Sequence, residues 1–148
     1  MNVEEIIKTK KEIPLGTRTI IHLSLVNNKL KETMGNALKP FEVSLQQFNV
    51  LRILRGQKGQ PANLSTLNER MVSKMSNTTR LVDKLILKGY VKRCVCESNR
   101  RKVEIFITEQ GENVLVKMSE SMKNAESEAL KNFTAKELEN LNRLLDKF

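Results

Sequence analysis

The sequence predicts a mainly α-helical protein with one small β-hairpin. Three observations carry this: apolar residues recur at three- and four-residue steps towards both chain ends, strict alternation is confined to residues 91–108, and a polar, basic turn splits that alternating stretch.

Residues 17–38 read as a long amphipathic helix, with Leu23, Val26, Leu30, Met34 and Leu38 on one face and Pro40 as its stop. Pro14 and Gly16 punctuate its approach, and Ile6 and Ile7 give residues 1–13 something to bury. Ser44-Leu45-Gln46-Gln47 has the form of a capping box, in which serine and glutamine satisfy each other's amides. It opens a helix through Arg55 whose inner set is Leu45, Phe48, Leu51 and Leu54. Gly56, Gly59 and Pro61 then make a turn. A short helix from about Asn63 to Met71 follows, and a second from about Lys74 to Lys88, with Ser73 as its expected N-cap and Gly89 as its stop.

Two strands come next. Val91, Arg93 and Val95 alternate with Lys92, Cys94 and Cys96, and Val103, Ile105 and Ile107 alternate with Glu104, Phe106 and Thr108. Between them lies Glu97-Ser98-Asn99-Arg100-Arg101-Lys102, a charged tip. Two helices followed by such a hairpin is the order of a winged helix-turn-helix. The remainder returns to helix. Leu115, Met118, Met122, Ala125 and Ala129 form a heptad-like seam, and Thr134-Ala135-Lys136-Glu137 is a second capping box ahead of Leu138, Leu141, Leu145 and Phe148. The expected organisation is a reading domain at 41–108 and a helical dimerisation region formed by both chain ends, 1–40 and 109–148. The alternative is that the flanking helices only cover the central domain.

The net charge of +9 is unevenly placed. Residues 52–108 hold 13 Lys and Arg against Glu69, Asp83, Glu97 and Glu104, whereas the flanks balance at 13 of each sign. All the excess positive charge thus lies in the middle third. A polyanion fits it, because clustered cations gain affinity by releasing the counterions of phosphates. On a helical wheel Met75, Val82, Leu85 and Ile86, with Thr78 and Thr79, share one arc; Ser76, Asn77, Arg80, Lys84 and Lys88 lie opposite. That distribution suits a recognition helix, with short polar groups and an arginine for base edges and lysines for phosphates. The adjacent cations Arg100, Arg101 and Lys102 cannot pack inward without partners, and a guanidinium there suits an A·T-rich minor groove.

Residues Leu67-Asn68-Glu69-Arg70-Met71-Val72-Ser73-Lys74-Met75-Ser76-Asn77-Thr78-Thr79-Arg80-Leu81-Val82-Asp83-Lys84-Leu85 and Lys88-Gly89-Tyr90-Val91-Lys92-Arg93 resemble the MarR (multiple-antibiotic-resistance regulator) family. So does Asn99 through Gly111. The family's wing motif is Asp-x-Arg followed by an alternating strand ending in Leu-Thr-x-x-Gly. Here Asn99 takes the aspartate position, Arg101 the arginine, and Ile107-Thr108 the Leu-Thr pair. The resemblance implies a homodimer on a pseudo-palindromic double-stranded DNA operator and a ligand-responsive repressor of transcription. The expected DNA-contacting set is Lys74, Ser76, Asn77, Thr78, Arg80, Lys84, Lys88, Arg100, Arg101 and Lys102. Within it, Ser76, Asn77 and Arg80 are expected to read base edges, Lys74, Lys84 and Lys88 to hold phosphates, and Arg101, with Arg100 beside it, to enter the minor groove. The resemblance also implies a small-molecule effector pocket between the dimer helices and the reading domain, which Arg18 and His22 would line.

Other signals are thinner. Cys94 and Cys96 raise a second reading, a metal- or redox-responsive regulator. Two thiols without a neighbouring histidine make an incomplete zinc site, however, and a disulfide across two strand positions would be strained. No metal or cofactor is expected. His22 is the one histidine, and no nucleophile–base set or glycine-rich phosphate loop stands out, so an enzyme is not expected. A third reading is a winged-helix module that binds acidic protein surfaces in place of nucleic acid. The N-terminus lacks a signal-peptide pattern and no apolar run reaches 18 residues, which predicts a cytoplasmic protein with no membrane partner.

Overall fold

The computed structural model of the chain describes residues 1–74, 77–96 and 99–148, and all their side chains except those of residues 96 and 99–102. The elements run α1 (Val3–Ile6), α2 (Leu15–Leu38), a 3-10 turn (Lys39–Phe41), α3 (Leu45–Gly56), α4 (Leu64–Arg70), α5 (Thr78–Leu87), β1 (Val91–Cys96), β2 (Asn99–Ile107), α6 (Glu109–Leu130) and α7 (Ala135–Leu145). A mostly helical chain with one antiparallel hairpin is what the periodicities predict.

Side-chain caps fix most of the boundaries. Both expected capping boxes form, Ser44 with Gln47 and Thr134 with Glu137. The amide of Thr134 donates to the Glu137 carboxylate and, with the Thr134 hydroxyl, holds it below its ordinary pKa. Asn63 caps α4, its Oδ1 accepting the Thr66 amide at 2.8 Å. The start of α5 differs from expectation. Asn77, not Ser73, is the N-cap, its Oδ1 accepting the Arg80 amide at 3.1 Å, so the helix begins four residues later than the sequence suggests. Among the described residues, 71–74 and 77 belong to the link of the helix-turn-helix.

α5 ends as predicted. Gly89 sits at φ +73°, its amide donates to the Ile86 carbonyl, and the Tyr90 amide donates to the Leu85 carbonyl. This paired closure needs a left-handed residue, which glycine supplies without the Cβ penalty. The chain then enters β1.

The hairpin pairs Val91 with Ile107, Arg93 with Ile105 and Val95 with Val103, with an irregularity between Val95 and Cys96. Its base is packed and its far end is not: Val91 and Ile105 are buried, whereas Val95 is exposed. β2 begins at Asn99, so the backbone of Arg100, Arg101 and Lys102 is strand, where a loop was expected. A third pairing was not foreseen. Ala62 exchanges both backbone hydrogen bonds with Ile105, at 3.0 and 2.8 Å, then Asn63 turns the chain into α4. This one-residue bridge fastens the hairpin to the front of the helix-turn-helix.

One core joins the helix-turn-helix and the hairpin to the long helices. Phe48, Leu51 and Leu54 of α3, Leu67, Val82, Leu85 and Ile105 are buried with Leu38 of α2 and Leu115, Met118 and Met122 of α6. Burial of each such side chain contributes about 1.5–3 kcal/mol. The first half of the heptad-like seam therefore packs within its own chain. Other parts of the helical region leave apolar residues uncovered: no residue of α7 is buried, and Leu141, Leu144, Leu145 and Phe148 are exposed, as are Ile6, Leu15 and Ile20 near the other end, although Val3 of α1 is buried.

Candidate nucleic-acid interface

α5 divides cleanly. Thr78, Val82 and Leu85 face the core, while Thr79, Arg80, Asp83, Lys84 and Leu87 are exposed along the opposite side. Arg80 and Lys84 carry their charges one helical turn apart, and neither makes an ion pair among the described residues. Beside them the hairpin leaves α5 at Gly89, with Lys92 and Arg93 exposed on β1. The Lys92 ammonium lies 5.4 Å from the centre of the Phe106 ring, and an Arg93 Nη2–Asp83 Oδ1 contact of 2.7 Å ties the strand back to the helix.

The expected contact residues divide into three groups. Arg80 and Lys84 stand where the sequence put them. Four others are committed elsewhere. Thr78 is buried at 4% exposure, and its hydroxyl donates to Asn68 Oδ1, which locks α5 onto α4. The acceptor oxygen of Asn77 is used by the helix cap. The Lys74 ammonium donates to the Glu69 carbonyl at the end of α4, and Lys88 pairs with Glu42 at 3.2 Å. In the unbound chain Thr78 is thus a packing residue, and Lys74 and Lys88 tether the links on either side of α5. The third group is Ser76 and the side chains of Arg100, Arg101 and Lys102, which lie outside the described residues.

Two features were missed. Thr79, grouped with Thr78 in the apolar arc of the wheel, is exposed; about 100° from Thr78, it falls on the side of Arg80 and Asp83. The Asp83–Arg93 contact joins positions ten residues apart, which helical or strand periodicity cannot pair.

A cavity of about 540 Å³ lies between α2, α3, α6 and the link before α5. Leu45, Phe48, Met71 and Met122 give it an apolar lining, and Asn27, Lys31, Asn49 and Arg52 its polar groups. Arg18 and His22 are not among its lining residues. Arg18 instead forks onto Glu4 at 2.7 and 3.1 Å, which fastens α1 to α2. These hydrogen bonds hold the Glu4 carboxyl below, and the Arg18 guanidinium above, their ordinary pKa values. Arg18 and His22 lie outside this cavity, which meets α2 further along the helix at Asn27 and Lys31.

Cys94 is an exposed free thiol, while the Cys96 side chain lies outside the described residues. Among the described residues no group of three or more His, Cys, Asp and Glu could hold a metal ion, and no helix is long and apolar enough to cross a membrane.

A helix-turn-helix with a hairpin wing, set between helices from both ends of the chain, defines a winged-helix regulator. Comparison with known proteins gives the family. Residues 43–103 match the model of the MarR family. The chain is 27% identical to the HTH-type transcriptional regulator PecS of Dickeya dadantii, over 84% of this chain and 76% of that one. It is 25% identical to the transcriptional repressor MprA of Escherichia coli, over 90% and 74% of the two chains. Among solved structures, a MarR mutant from E. coli complexed with operator DNA superposes with a TM-score of 0.75 at 27% identity, covering 99% of this chain and 98% of that one. The family-model match, these relatives and this structural likeness together support a MarR-family transcriptional regulator.

Proposed function

We propose that the protein binds an operator in double-stranded DNA as a homodimer, in the cytoplasm, and represses transcription until a small molecule occupies its cavity. The observation that carries this is the division of α5: a buried apolar side, and an exposed side bearing Arg80 and Lys84 next to the hairpin. An α-helix of this kind enters the major groove, and the hairpin follows the backbone towards the adjacent minor groove. Arg80 and Thr79 are the base-reading side chains, Lys84 holds a phosphate, and Arg101, on β2, is the minor-groove group.

Dimerisation is supported by the uncovered apolar residues of α1, α2 and α7, which one chain leaves facing water. A two-fold axis through them presents two copies of α5 to one side of a duplex, about 34 Å apart for successive major grooves. The relatives named as repressors support the direction of control. The cavity touches Met71, Val72 and Ser73 of the link before α5, so a molecule held there bears directly on the reading helix. Its apolar lining and two cations, Lys31 and Arg52, suit an amphipathic organic anion.

Selection of duplexes from a random pool tests the reading, since an operator should emerge as two related half-sites. Affinity for it, re-measured across a panel of small aromatic acids, then identifies effectors as compounds that release the DNA. Recovery of no preferred sequence would overturn the proposal. Lys84→Ala should weaken operator and unrelated DNA alike and lower the slope of log K against log salt by about 1 per protomer. Titrations between low and physiological salt check this, and an unchanged slope would remove Lys84 from the phosphate contacts.

A further inference from the structure

Asp83 is the one acidic residue within α5, and it is exposed on the same side as Arg80 and Lys84. On a surface meant for phosphates its charge is repulsive, so its presence calls for a compensating role. Its carboxylate meets the Arg93 guanidinium at 2.7 Å. Arg93 stands on β1 opposite Ile105, the buried residue that also bridges to Ala62, so the strand beneath it is anchored. The backbone bond from the Tyr90 amide to the Leu85 carbonyl lies at the hinge itself. The ion pair instead spans the angle between helix and strand. Among the described residues it is the only ion pair that does so.

We propose that Asp83 and Arg93 form a strut that sets the angle of the hairpin to the reading helix, so that both reach their grooves on one duplex at once. They act as positioning residues, and the inference rests on the DNA-binding reading above. A hinge held only at its base lets the wing swing; a charged contact across the angle restricts it. The restriction is made before binding, so less orientational freedom remains to be lost on the DNA.

The strut and simple electrostatics predict opposite signs for Asp83→Asn. Removing an acid from a phosphate-facing surface should tighten binding, whereas losing the strut should weaken it. We expect affinity for the selected operator to fall about threefold to tenfold, in line with the modest worth of an exposed ion pair counted in two protomers. Hydroxyl-radical cleavage should show the minor-groove protection under the hairpin fading while the major-groove contacts persist. The charge-exchanged double variant Asp83→Arg/Arg93→Asp should restore the minor-groove protection, and thermal unfolding should show both proteins folded. Unchanged or tighter binding of Asp83→Asn with a complete footprint would overturn the strut. The unaltered protein measured alongside separates the two claims: if it selects and binds no operator, the DNA-binding reading itself has failed, whereas an operator bound equally well by Asp83→Asn overturns the strut alone.

Discussion

On the selected operator, Arg80→Ala is expected to lose about 1–3 kcal/mol per protomer and to relax the sequence preference at the base pair it contacts. With two copies on one operator, affinity should fall roughly 30-fold to 20,000-fold, since each 1.4 kcal/mol is about tenfold. The size follows from geometry. Arg80 occupies the third position of α5, near the helix end that leads into a groove, and it makes no ion pair among the described residues that would divert its guanidinium. A planar, two-pronged donor can bond O6 and N7 of one guanine together, which no other base satisfies. Arg80→Lys should keep the phosphate attraction and lose the selectivity, so the two variants separate charge from shape. Competition against operators substituted one base pair at a time measures both. An Arg80→Ala protein with undiminished selectivity would place base reading elsewhere.

The second large effect is on stability. A Cβ added at Gly111 would lie 2.1 Å from the Tyr90 carbonyl oxygen, far inside van der Waals contact. That oxygen accepts the Thr108 amide, and the Thr108 hydroxyl accepts the Gly111 amide and donates to the Gly89 carbonyl. The start of α6 is thereby stitched to the junction of α5 and β1, and Gly111→Ala must force that seam apart. Overpacking against backbone with loss of hydrogen bonds should cost about 3 kcal/mol or more. Gly89→Ala should cost less, about 1–2 kcal/mol, because the left-handed backbone is strained but the nearest obstacle, the Gln110 side chain, can move. Gly56→Ala, at an open helical position, should be neutral or slightly stabilising. Urea unfolding at one fixed protomer concentration ranks the three, and equal stabilities would show that the seam is looser than its geometry.

Much of this architecture is legible in the sequence because local chemistry and global packing agree. Both capping boxes, the Gly89 stop and the switch from helical to alternating periodicity are local signals, and each element they mark is present. The start of α5 is less legible. Ser73 and Asn77 are both good N-caps, and the choice between them depends on Thr78 reaching Asn68 of α4, a tertiary contact. The positions of Lys74 and Lys88 are readable, but their engagement is not: an exposed helix face looks the same whether its lysines await phosphates or tether neighbouring links. The single-residue bridge at Ala62 has no periodicity to announce it. The seam from Leu115 to Ala129 shows the limit of pattern reading most clearly. A repeating apolar edge declares that something covers it, and here Leu115, Met118 and Met122 are covered by the chain's own reading domain and α2. Among the described residues α7 and the opposite end of the chain keep exposed apolar residues, the surface on which the proposed dimer rests.

The central claim is that α5 and the hairpin present one surface shaped to a duplex. The most direct test is base-by-base footprinting of the selected operator, combining methylation interference with hydroxyl-radical cleavage. The account predicts two major-groove contacts about one helical turn apart, each weakened by Arg80→Ala, with minor-groove protection beside each. Binding that tracks salt alone, with no periodic footprint and no response to Arg80→Ala, would contradict it.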